Sequence, residues 1–62
     1  MKTNYTFEHN GETYQVMYCS SCVCIGKRCK EKGFEGLFEP VGELRGKYMN
    51  STKEEIIKMY CL

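Results

Sequence analysis

The sequence contains no Asp, no Ala and no Trp, and only one Pro and one His. These scarcities close off several kinds of chemistry. Without Asp, and with His9 alone, an Asp–His pair that activates a nucleophile cannot be assembled. The eight acids are all Glu and are scattered, so no general acid–base pair stands out. Neither charge sign dominates: nine Lys and Arg against the eight Glu leave a formal net charge of +1, which weighs against a domain that grips nucleic acid by its phosphates. No run approaches the roughly 20 apolar residues of a membrane span. The first residues are polar and lack the apolar core of a secretory signal, so a cytoplasmic, reducing location is expected. There is no phosphate-binding glycine loop. Gly33, Gly36, Gly42 and Gly46 are irregularly spaced and suit turns.

What is plentiful is cysteine and bulky aromatic surface. The chain has 62 residues, five Cys, five Tyr and three Phe. A chain of this length is expected to form one domain, 1–62. Such a domain buries only about 60% of its unfolded surface, so a metal, disulfides or a partner usually supplements the core. The aromatic residues Tyr5, Phe7, Tyr14, Tyr18 and Phe34 are the bulky groups available for that core. The competing use for them is a stacking platform for bases.

Local patterns suggest the elements. Tyr5 and Phe7 alternate with polar residues, as do Tyr14, Val16 and Tyr18, and Asn10-Gly11 lies between the two runs. Asn-Gly is the favoured pair for a type I′ turn, so residues 3–19 predict a β-hairpin. That turn sets His9 opposite Glu12, Phe7 opposite Tyr14, Tyr5 opposite Val16 and Thr3 opposite Tyr18. The other face then carries Lys2, Asn4, Thr6, Glu8, Thr13 and Gln15 toward water. Residues 19–32 read as a compact, turn-rich segment wrapped around a ligand. Residues 33–50 are ambiguous: the apolar spacing fits a helix, but four Gly and Pro40 oppose one. Extended or turn structure is preferred there over short helices on either side of Pro40. Residues 52–61 predict a helix with Ile56, Met59 and Tyr60 on one face. Its start carries two overlapping capping-box spacings, Ser51 with Glu54 and Thr52 with Glu55.

The cysteines carry the chemistry. Cys19-x2-Cys22 leaves the second hairpin strand directly, and two thiolates at that spacing on a tight turn can converge on one tetrahedral ion. Cys24 and Cys29 follow, while Cys61 is distant in sequence. A hairpin ending in such a knuckle resembles small zinc-ribbon and zinc-knuckle domains over about ten residues, although the second CxxC of a ribbon is missing. The reading is one structural Zn²⁺ held by Cys19, Cys22, Cys24 and Cys29. Cys24 is preferred to Cys61 as the fourth ligand because four sulfurs within eleven residues need no tertiary closure. Cys61 is the substitute, and it would tie the helix back to the hairpin. Two disulfides with a spare thiol, or an iron–sulfur cluster, are the competing readings. The Cys spacing matches neither common ferredoxin run.

The expected fold is therefore a small α+β, metal-stabilised one: an N-terminal hairpin, a Cys-rich knuckle loop, a Gly-rich middle segment and a C-terminal helix. The expected function is a non-enzymatic zinc-binding interaction module that binds and modulates a larger protein. Lys27, Arg28, Lys30 and Lys32 would offset the charge of the zinc thiolate centre and offer a binding patch. Those four residues, with Arg45 and Lys47, frame the alternative of a nucleic-acid-binding zinc module. A redox or metal-handling protein is the other alternative.

Overall fold

The computed structural model describes residues 3–62. The expected orientation of Lys2 lies outside the described residues. Strands β1 (Tyr5–His9), β2 (Glu12–Tyr18), β3 (Val23–Arg28) and β4 (Phe38–Leu44) form an antiparallel sheet in the order β1-β2-β3-β4. A short 3-10 turn, Gly46–Asn50, leads to the helix α1 (Lys53–Met59).

The first hairpin follows from its turn. Asn10 and Gly11 both adopt positive φ, 51° and 78°, as a type I′ turn requires. The observed register pairs His9 with Glu12, Phe7 with Tyr14 and Tyr5 with Val16, as the turn dictates. The expected Thr3–Tyr18 pair does not form. The Tyr18 amide instead donates to the Asn4 side chain at 2.8 Å, which ends the ladder at Tyr5.

The turn-rich wrapping expected over residues 19–32 is replaced by a second hairpin and a third strand. Val23 and Ile25 are almost fully buried, while Cys24 between them faces the other way. This is the alternation of a half-buried strand, and the pairing of Val16 with Ile25 seals it onto β2. The ambiguous middle segment is extended at β4. Pro40 lacks an amide hydrogen, and it is accommodated because β4 is an edge strand and the ladder is irregular there.

The core lies on one face of the sheet. Phe7, Tyr14, Val16, Val23, Ile25 and Leu44 pack with Ile56 of α1. Phe7 and Tyr14 stack with ring centroids 5.2 Å apart, so the aromatic residues of the hairpin serve packing. Phe34 does not join them; it is 51% exposed in the loop before β4. Met59 is likewise exposed, because Ile56 and Tyr60 fill the helix-to-sheet contact.

Helix α1 starts where one of the two capping boxes predicts. The Glu55 amide donates to the Thr52 hydroxyl, and the Thr52 amide donates to the Glu55 carboxylate at 2.8 Å. At the other end Cys61 takes φ 54°, the Leu62 amide donates to Ile57 and the Cys61 amide to Lys58. That pair of bonds is a Schellman terminus, with Cys61 at the left-handed position that glycine usually fills. The helix docks through Tyr60, whose ring covers Gly42 so closely that a Cβ there would overlap it.

Candidate metal centre

The β2–β3 connection is the four residues Cys19-Ser20-Ser21-Cys22, closed by the Cys19 amide donating to the Cys22 carbonyl at 2.8 Å. This tight closure brings Cys19 and Cys22 together. Cys24 is two residues into the chain beyond Cys22, on the outer face of β3, away from the core. Its cross-strand partners there are Met17 on β2 and Glu43 on β4.

The three sulfurs converge. Those of Cys19, Cys22 and Cys24 lie within 4.8 Å of one another, and the Cys19 and Cys24 sulfurs are 3.9 Å apart. Thiolates bound to zinc at about 2.3 Å sit roughly 3.8 Å from each other at the corners of a tetrahedron. The cluster therefore has the dimensions of a metal-binding tripod and needs little rearrangement to close on one ion.

Cys29 and Cys61 lie elsewhere. Cys29 follows the last residue of β3, about 16 Å of extended chain beyond Cys24. It is buried, and its amide donates to the Leu37 carbonyl at 2.8 Å. Cys61 terminates α1 next to Leu62, whose main-chain oxygen lies 3.1 Å from His9 Nε2 at the hairpin tip. The tip is the end of β2 opposite Cys19. The structure thus gathers three of the five sulfurs, and neither Cys29 nor Cys61 is among them.

The basic residues are also placed differently from the expectation that they support the thiolates. Lys30 Nζ is 3.0 Å from the Glu12 carboxylate and donates to the Gly11 carbonyl at 2.7 Å. Lys27 lies 4.0 Å from Glu12 and opposite Glu39. This end of the sheet holds Lys27, Arg28 and Lys30 interleaved with Glu12, Glu31 and Glu39 around a shallow hollow of about 310 Å³. Lys32 follows in the exposed loop. Proximity of Lys30 draws the Glu12 carboxyl below its ordinary range.

Arg45 pairs with Glu43, the cross-strand partner of Cys24. Its guanidinium reaches both carboxylate oxygens of Glu43 at 3.1 Å. The nearby Glu43 carboxylate pushes the Cys22 thiol up, and Cys22 and Arg45 hold that carboxyl down. The Cys24 thiol is pushed up chiefly by its hydrogen bond with Cys19. Thiols that hold their protons in this way would have to release them to bind a cation.

The sequence singled out the three clustered cysteines but gave no sign that Glu43 stands opposite Cys24. The signal was present only in the pairing of β3 with β4, which the Gly- and Pro-containing segment did not reveal. Beside the cluster the outer face opens into a groove of about 480 Å³ lined by Met17, Cys24, Phe38 and Pro40 among others. Among the described residues no helix is long and apolar enough to cross a membrane. Comparison with protein-family models, with curated proteins and with solved structures finds no match to this chain.

Proposed function

We propose that the chain is a non-enzymatic interaction module in which one zinc ion, held by Cys19, Cys22 and Cys24, fixes the β2–β3 turn and the adjoining sheet face receives a larger protein. The observation that carries this reading is the convergence of three thiols at one turn at metal-binding separations. Thiolate ligands on a small scaffold suit zinc, which adds stability where a short chain has little to spare.

The position of His9 supports binding over catalysis. It lies at the hairpin tip, at the other end of β2 from Cys19, so it is not paired with the clustered thiols. The groove beside the cluster supports the partner assignment. Helix α1 covers only the opposite face of the sheet, and Met17 is 40% exposed next to Phe38 and Pro40. Methionine and aromatic side chains are enriched in protein interfaces, and the flexible thioether adapts to varied surfaces. The interleaving of Lys27 and Lys30 with Glu12 and Glu39 disfavours the nucleic-acid alternative.

Elemental analysis combined with mapping of alkylated thiols tests the reading. The expected result is one zinc per chain, with Cys19, Cys22 and Cys24 protected until a chelator is added and Cys61 reactive throughout. Two disulfides and no bound metal would overturn it. The partner surface is tested by chemical cross-linking in cells: Met17→Glu should abolish the cross-linked species that the wild-type chain forms.

A further inference from the structure

We propose that Glu43 is the fourth ligand of the ion held by Cys19, Cys22 and Cys24, with Arg45 as the residue that positions its carboxylate. The proposal rests on reading the three cysteines as a metal centre.

Three ligands leave one corner of a tetrahedron open. Glu43 stands directly opposite Cys24 in the β3–β4 ladder, on the same outer face. Side chains so paired start from Cβ atoms about 4.5–5.5 Å apart, within easy reach of a shared ion. A carboxylate opposite Cys24, on the face that carries the sulfurs, supplies a charged oxygen donor for the remaining corner.

Arg45 completes the arrangement. It contacts both oxygens of Glu43 at 3.1 Å, which leaves further lone pairs free for a metal. Hydrogen-bonded partners of this type orient ligating carboxylates in metal sites. A centre of three thiolates and one carboxylate would carry a charge of about −2 with Zn²⁺, and the guanidinium offsets part of it. Met17 is the rival neighbour, opposite Cys24 on the other side. Its thioether is a soft, uncharged donor that suits Cu(I) better than zinc. An ion bound through Glu43 would join the β2–β3 turn to the edge strand β4, so the centre would clamp three strands.

Cobalt(II) titration of the whole chain provides the test, because thiolate-to-cobalt absorption reports how many sulfurs bind. The wild type should take up one Co²⁺ with the intensity of three thiolates. Glu43→Cys should raise that intensity by about a third, as a fourth thiolate enters the tetrahedron. Glu43→Gln should keep the three-thiolate intensity and weaken binding about 100-fold, and Arg45→Ala about 10-fold. Met17→Leu should bind as the wild type does. The proposal is overturned if Glu43→Gln binds as tightly as the wild type, if Glu43→Cys gains no intensity, or if the wild type already shows four thiolates. In the first two cases the three-cysteine centre itself stands, whereas four thiolates would add a further cysteine to it. A wild-type chain that takes up no Co²⁺ would overturn both readings together.

Discussion

Replacing Ile56 with Ala should weaken the fold severely, and zinc should restore a calculable part of the loss. Ile56 is 0% exposed and is the one buried residue of α1. It packs against Val16, Val23, Ile25 and Leu44, which the strands hold in place, so the space it vacates cannot collapse easily. Truncating such a residue to Ala costs about 2–5 kcal/mol. A chain of 62 residues has roughly 3–9 kcal/mol of total stability, so the variant should lose between about a fifth of it and all of it. The three clustered cysteines lie on the sheet and its turn, not on the helix. Zinc should therefore add the same increment to the variant as to the wild type, about 2.7 kcal/mol at a free concentration 100 times its Kd. Urea unfolding, followed by far-ultraviolet dichroism and tyrosine fluorescence at fixed free zinc, measures both quantities. A loss below about 1 kcal/mol would refute the role assigned to Ile56 in the core. A full loss with no recovery in zinc would refute the placement of the metal on the folded sheet.

Other perturbations follow from individual contacts. Thr52→Ala removes the hydroxyl that caps α1 and should cost about 1 kcal/mol in urea unfolding. Cys61→Gly should stabilise the chain by about 1 kcal/mol, because glycine adopts the left-handed helix terminus without a Cβ penalty, and it should leave zinc uptake intact. Gly42→Ala should displace the Tyr60 ring that covers it, seen as a loss of Tyr60 contacts to the sheet in NMR spectra. The Glu12 and Glu55 carboxyls are held below their ordinary range, by Lys30 and by the Thr52 amide respectively. Their folded forms thus bind fewer protons than the unfolded chain, so their contribution is present above about pH 4.3 and is lost as pH falls through their lower folded values. A urea midpoint that stays constant from neutral pH through that acid range would contradict this linkage.

The parts of the fold that local rules control were legible in the sequence. Asn10-Gly11 determined the turn and the register of the first hairpin. Thr52 and Glu55 marked the start of the helix, although Ser51 with Glu54 offered the same spacing and only the structure separates them. What stayed hidden depends on partners distant in the chain. Val23-Cys24-Ile25 is a short strand whose alternation was masked by the Cys spacing around it, and it becomes a strand by pairing with both β2 and β4. Once β3 is extended, Cys24 joins Cys19 and Cys22 while Cys29 is carried to the far end of the sheet. Nearness in sequence therefore did not bring Cys29 into the cluster, and the same extension placed Lys27 and Lys30 by Glu12. Pro40 and Gly42 argued against regular structure, yet an edge strand tolerates the first, and the second makes room for Tyr60. Glu43 could not be found without that strand.

Zinc content measured across single Cys→Ser variants tests the central assignment most directly. The account predicts that Cys19→Ser, Cys22→Ser and Cys24→Ser each lose the ion, while Cys29→Ser and Cys61→Ser retain one zinc per chain. Retention by the Cys24 variant together with loss from the Cys29 or Cys61 variant would contradict it.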